Sequence, residues 1–450
     1  MFSHTDLRYL DSALQTLEEG FESLPVFEPA FDGERLRTVL HAAALRLHDN
    51  FPYGHPLYAG QMLKPPHPVA RLAYMLALYL NPNNHALDGG RASSIMEKEA
   101  VAALARLFGY RPHLGHLCAS GTIANLEALW VARHARPQGA VLASAQAHYT
   151  HARMCEVLGM PFESVAVDAM ARMDLNALED RVRRGGVATV VVTLGTTATG
   201  AVDPLQDILQ LRARYGFRIH VDAAYGGYFT LTDNLAAATR AAFDALPHVD
   251  SIVVDPHKHG LQPYGCGCVL LHDPAEGRYY KHDSPYTYFT SDELHLGEIS
   301  LECSRPGAAA VALWATQRLL PMERGGEFAR GLAAGREAAL ALQQHLKTHA
   351  DYIVGPEPEL DIVVWLLAAW SRSAASRRAH ATFAHAAQHN LHLALLRVPD
   401  ELARHWAADL TADSQTVTAL RSCLMKPEHR DWLPRITALL DTAAHAALGA

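Results

Sequence analysis

Apolar residues recur every three to four positions over residues 5–20, where Leu7, Leu10, Leu14 and Leu17 share one face, and again over 33–49. That period is the mark of an amphipathic helix. Turn-rich stretches follow at 54–60 and 65–68, built from glycine, proline and histidine. Helical spacing then returns at 69–80 and at 93–108, the second with Met96, Ala100, Leu104 and Leu107 as its core face.

From about residue 114 the pattern changes. Short apolar runs at 140–142, 165–167, 189–192, 219–221 and 252–254 alternate with helix-like stretches. Continuous β-branched runs of this kind predict a mostly parallel sheet covered on both faces, and the run at 265–271 is expected to close it. Residues 306–350 read as long helix, from Pro306-Gly307 through a break at Arg324-Gly325-Gly326. Beyond it, strands are expected at 360–366 and 417–424, an alanine-rich helix within 368–388, and a closing helix at 429–446. The fold class is therefore α/β, in three parts. Residues 1–68 form a helical N-terminal segment on the substrate side, 69–320 a large α/β domain, and 321–450 a small α+β domain.

Composition narrows the choice of partners. The chain of 450 residues is 49% hydrophobic and 19% charged, as globular proteins are, and its net charge of −8 offers no basic field to nucleic acid or an anionic membrane. Its six cysteines do not make a disulfide framework; Cys266 and Cys268 read as small packed thiols, and the expected compartment is a reducing cytoplasm. The start shows no signal-peptide pattern, and the apolar run at 72–80 stops at Asn81-Pro82, too short to span a membrane. Histidines are many, but His113/His116 and His380/His385 lack carboxylate or thiolate companions at ligand spacing, so they read as solvated or capping residues and no metal is expected.

The chemistry is concentrated at the ends of apolar runs. Ile219-His220-Val221 leads into Asp222-Ala223-Ala224-Tyr225-Gly226-Gly227, and Ile252-Val253-Val254 into Asp255-Pro256-His257-Lys258. A lone lysine after a strand is ordinarily solvated, and a lone aspartate ordinarily caps a turn. Together, at strand ends where open α/β sheets bind ligands, they match the needs of pyridoxal phosphate: an amine for the Schiff base and a carboxylate for the pyridine nitrogen. Ser120-Gly121-Thr122 before a helix offers free amides to a phosphate ester. Gly195-Thr196-Thr197 follows a strand and supplies a hydroxyl, and His148 follows another with an imidazole for the ring face.

This ordered set resembles the group II pyridoxal-phosphate-dependent amino-acid decarboxylases, relatives of the aromatic-amino-acid, tyrosine and glutamate decarboxylases. The likeness is carried by SGTIANLEAL, AHYTHAR, GTTATGAVDP, HVDAAYGG, DPHKHG and the segment Glu302–Ala308, and covers roughly 50–430. It implies the aspartate aminotransferase-like fold of the pyridoxal-phosphate-dependent transferases. Lys258 would carry the cofactor, Asp222 would keep the pyridine nitrogen protonated, and Ala224 and His148 would flank the ring. Thr197 would lie near the ring oxygen, Gly121, Thr122 and His257 on the phosphate side, and Asp255 would also belong to the cofactor site. Tyr286 matches the tyrosine that protonates the product carbanion, with Tyr288 as the alternative. Tyr58, Gln61, Arg91 and Arg421 are the candidate substrate contacts. The resemblance also implies a homodimer with sites at the subunit interface. The product would be an amine and CO2. Competing readings are aldehyde synthesis, transamination or carbon–carbon cleavage on the same scaffold, and a non-catalytic scaffold. An intact Lys258–Asp222–His148 set argues against the last.

Overall fold

The computed structural model describes residues 5–27, 30–281 and 295–449. Its centre is a seven-stranded sheet in the order β1-β7-β6-β5-β4-β2-β3. The strands are β1 Leu114–Cys118, β2 Ala140–Ser144, β3 Phe162–Val165, β4 Val187–Thr193, β5 Arg218–Asp222, β6 Ser251–Val254 and β7 Gly267–Leu271. β2 pairs parallel with β3 and β4, β4 with β5, and β5 with β6; β7 runs antiparallel to both β6 and β1. Every residue of β2, β6 and β7 is buried, as expected of strands covered on both faces. Helix Gly121–Ala135 packs on β7 and β6, while Gly307–Leu319 packs against Pro68–Leu78 and Arg91–Leu107.

The C-terminal part has its own antiparallel sheet, in the order β10-β11-β9-β8. Its strands are β8 Tyr352–Val354, β9 Ile362–Leu367, β10 Ala394–Pro399 and β11 Thr416–Cys423. Helices Glu327–Lys347, Arg372–Gln388 and His429–Ala446 cover it around a second core with Trp365, Leu342, Leu420 and Leu440 fully buried.

The helical stretch over 306–350, with its break at Arg324-Gly325-Gly326, is two helices, Gly307–Leu319 and Glu327–Lys347; Gly325 takes φ +71° between them, a left-handed turn that no α-helix continues through. Two other sequence expectations need correction. The strand expected at 165–167 ends at Val165; Val167 makes only an isolated bridge to Met173. His116 is not solvated: it is buried, with Nε2 3.0 Å from Glu127 Oε2.

Candidate active site

The parallel register decides what meets at the sheet's C-terminal edge. Asp222, the last residue of β5, lies beside Thr193 at the end of β4 and beside Val253 of β6. One residue past β6 the chain turns through Asp255, His257 and Lys258. The start of helix Gly121–Ala135 closes the far side. There Ser120 Oγ accepts the Ile123 amide at 3.4 Å, a cap worth about 1 kcal/mol. The Ser120 carbonyl takes the Ala124 amide, which leaves the Gly121 and Thr122 amides at the cavity wall for an anion. Only glycine fits at 121, since a Cβ there would sit 2.7 and 2.8 Å from the two Asp255 carboxylate oxygens.

These elements enclose a cavity of about 190 Å³. All nine residues assigned to the cofactor from sequence line it: Gly121, Thr122, His148, Thr197, Asp222, Ala224, Asp255, His257 and Lys258. Clefts of about 680 and 600 Å³ lie elsewhere, but neither holds the lysine–aspartate pair, so chemistry and not size locates the site. Of the substrate candidates, none lines the cavity itself. Arg421 stands directly behind its wall, donating from one guanidinium nitrogen to the Thr197 carbonyl at 3.1 Å and from another to Gln61 Oε1 at 2.7 Å; its buried Nε has no hydrogen-bond partner among the described residues. Tyr58 is buried, with Lys426 Nζ donating to its carbonyl at 2.6 Å, and Arg91 is exposed at the start of its helix. Tyr286 and Tyr288 lie outside the described residues.

Asp222 is held by a network that sequence reading missed. A carboxylate can only accept, so His151 Nε2–H donates to Oδ2 at 2.9 Å, and the Ala224 amide donates to Oδ1 at 3.1 Å. Asn125 Nδ2 donates to Oδ2 at 3.5 Å and its Oδ1 accepts from His220 Nε2 at 2.7 Å; Ser251 Oγ then donates to His220 Nδ1 at 2.8 Å. Burial alone would raise the Asp222 carboxyl, but the His151 bond and charge, the Lys258 ammonium and the Ala224 amide outweigh it and hold it well below the usual carboxylate range. Asp222 therefore stays ionised at neutral pH. Lys258 Nζ lies 3.1 Å from Asp255 Oδ2. Burial would lower this amine, yet Asp255 and Asp222 raise it above the ordinary lysine value. His148 is kept neutral by burial, its Nδ1 accepting from the Thr150 hydroxyl at 2.6 Å and amide at 3.3 Å.

His220 is pushed down to about 3, chiefly by burial. An unfolded chain protonates this histidine near pH 6.5 and the native one does not until about 3, so stability falls as pH drops through that window. The full slope is about 1.4 kcal/mol per pH unit. His429, also pushed down to about 3, adds its own share. In urea unfolding between pH 6.5 and 4, the His220→Gln variant is expected to show a shallower fall in stability than wild type; equal slopes would refute the assignment.

The donor set fits pyridoxal phosphate. A buried ionised carboxylate, an amine and helix-start amides face one space, where the buried Thr193 Oγ1 and Asp255 Oδ1 have no hydrogen-bond partner among the described residues. A family model described as the pyridoxal-dependent decarboxylase conserved domain matches residues 72–368. The chain belongs to that family. It is a pyridoxal-phosphate-dependent carboxy-lyase, converting an L-amino acid to its amine and CO2. The scaffold and alternative-chemistry readings yield to this one. An L-tyrosine decarboxylase of Enterococcus faecium is 27% identical, the match covering 75% of this chain and 72% of that one. An L-2,4-diaminobutyrate decarboxylase of Acinetobacter baumannii is 30% identical over 70% of this chain and 68% of its own length. The crystal structure of mouse CSAD superposes with a TM-score of 0.79 at 21% identity, covering 96% of this chain and 91% of that one, which shows the shared aspartate aminotransferase-like fold. No described helix is long and apolar enough to cross a membrane.

Proposed function

We propose that Lys258 is the amine that bonds the cofactor aldehyde and that Asp222 is the partner of its pyridine nitrogen. Ala224 and His148 flank the ring, Thr197 serves its oxygen, Gly121, Thr122 and His257 form the phosphate side, and Asp255 stands beside Lys258 as a further cofactor-site residue. The observation that carries this reading is the pairing of Lys258 with an Asp222 kept ionised inside one small cavity. Bound there, pyridoxal phosphate supplies a sink for the electron pair released when the Cα–carboxylate bond breaks. The chain's own residues do the rest. Asp222, ionised in the cavity, would hold a proton on the pyridine nitrogen of the bound cofactor. Asp255 Oδ2, 3.1 Å from Lys258 Nζ, holds the lysine side chain at the cavity. His257 Nδ1 donates to the Cys266 carbonyl at 2.7 Å, and burial holds its pKa below the ordinary histidine value, so the ring is fixed in place and favours the neutral form. We assign proton return at Cα to Tyr286, with Tyr288 as the second candidate. On the substrate side, Arg421, behind the cavity wall at Thr197, and Gln61, which it contacts, are the first candidates for the amino acid's own groups, followed by Tyr58 and Arg91.

We also propose a cytoplasmic homodimer divided at about residues 68 and 320. All six cysteines are free, as a reducing compartment allows. Helix Gly33–Leu47 has no buried residue and exposes Leu36, Val39, Leu40, Leu45 and Leu47, an apolar face suited to a second copy. Light scattering should give the mass of two chains, and an active monomer would refute the dimer. The test of the substrate is product analysis by mass spectrometry, offering the holoenzyme all common L-amino acids with DOPA, ornithine and 2,4-diaminobutyrate. One amine, formed with CO2, is expected. Keto acids or aldehydes in its place would contradict the decarboxylase reading.

A further inference from the structure

We propose that the small C-terminal domain carries a divalent-cation site, with Zn2+ as the best-fitting metal, made by His345, His349 and Asp441. His345 lies in the last turn of helix Glu327–Lys347, and His349 follows four residues later, just past the cap residue Thr348. That spacing is about one helical turn, which puts both rings on one face; their centroids are 4.5 Å apart. Helix His429–Ala446 packs against this helix and brings Asp441 to the same point. His345 Nε2 is 2.9 Å from Asp441 Oδ2 and 3.1 Å from Oδ1. One ligand atom from each of the three residues falls within 4.8 Å of the others.

Two further observations favour a metal over a bare ion pair. An ion pair with Asp441 uses one imidazole, whereas here two converge on one carboxylate. Tyr352 also donates its hydroxyl to Asp441 Oδ1 at 2.8 Å, the kind of outer hydrogen bond that orients a ligating carboxylate, while Oδ2 faces His345 Nε2 at 2.9 Å. Two imidazoles and one carboxylate form a borderline nitrogen–oxygen set. Such a set suits Zn2+ better than Mg2+ or Ca2+, which take all-oxygen shells. The side chains of His345 and Asp441 are 26% and 31% exposed, so water can complete the coordination. None of the three residues lines the Lys258 cavity. The cation would clip one helix end to its neighbour and take no part in decarboxylation. Binding the folded state alone, it would raise thermal stability by linkage.

The test uses untagged holoenzyme freed of metal with a chelator, titrated with zinc chloride by calorimetry and followed by thermal unfolding. Wild type should bind one zinc that His349→Ala and Asp441→Asn each weaken by about tenfold or more. It should gain a zinc-dependent rise in Tm that both variants lack, while amine formation without zinc is the same in all three. His349 is exposed, so its alanine variant is expected to fold, which its Tm without zinc reports. Zinc binding of equal strength in wild type and His349→Ala, or no zinc binding by wild type, would overturn the proposal.

Discussion

Replacing Lys258 with alanine is expected to lower kcat by about 10³-fold or more, the scale on which loss of a covalent catalytic group acts. Lys258 is the one lysine among the residues lining the cavity, so no neighbour stands ready to substitute. The variant should also lose the visible absorbance that the lysine-bound cofactor gives wild type. Its fold should survive, because Lys258 lines the cavity, where shortening the side chain adds open space and leaves the packed hydrophobic core unchanged. A Lys258→Ala protein that keeps both the visible band and amine formation would move the covalent role to another residue.

Asp222→Asn is the second large effect. The amide keeps the volume and can still accept the Ala224 N–H through its oxygen, but it carries no charge and presents an NH2 where Oδ2 stood. His151 Nε2–H and Asn125 Nδ2–H would then point donors at a donor. Two losses follow: the pyridine proton loses its counter-charge, and the supporting network loses its acceptor. We expect kcat to fall by about 10²–10³-fold, as when one preorganised electrostatic partner is removed from a buried site. A wild-type kcat in this variant, measured with saturating cofactor, would contradict the role given to Asp222. Because the network extends through Asn125 to His220 and Ser251, Asn125→Ala should act in the same direction as Asp222→Asn.

The central strands were legible because burial on both faces leaves unbroken apolar runs, as in Val190-Val191-Val192 and Ile252-Val253-Val254. β1 escaped notice because Gly115 and His116 interrupt its run, and β10 because Arg397 and Pro399 do. β8 has only three residues, too few for any period to show. Residues that face the cavity from strand ends and a helix start could be read from local motifs, because each motif places its own side chain. The residues that support them could not. His151 sits inside the quoted AHYTHAR segment, but its partner Asp222 lies on another strand, and Asn125 and His220 meet only once the sheet and helix pack. His349 and Asp441 illustrate the same limit in the small domain. A helix spacing suggests the histidine pair, but only the tertiary packing brings the carboxylate.

The most direct test of the central claim is to fix the cofactor where it is bonded. Borohydride reduction of the holoenzyme, proteolysis and peptide mass spectrometry would locate the pyridoxyl mark. The mark is expected on Lys258, in the peptide containing Asp255-Pro256-His257. A mark on a different lysine, or none on any peptide, would contradict it.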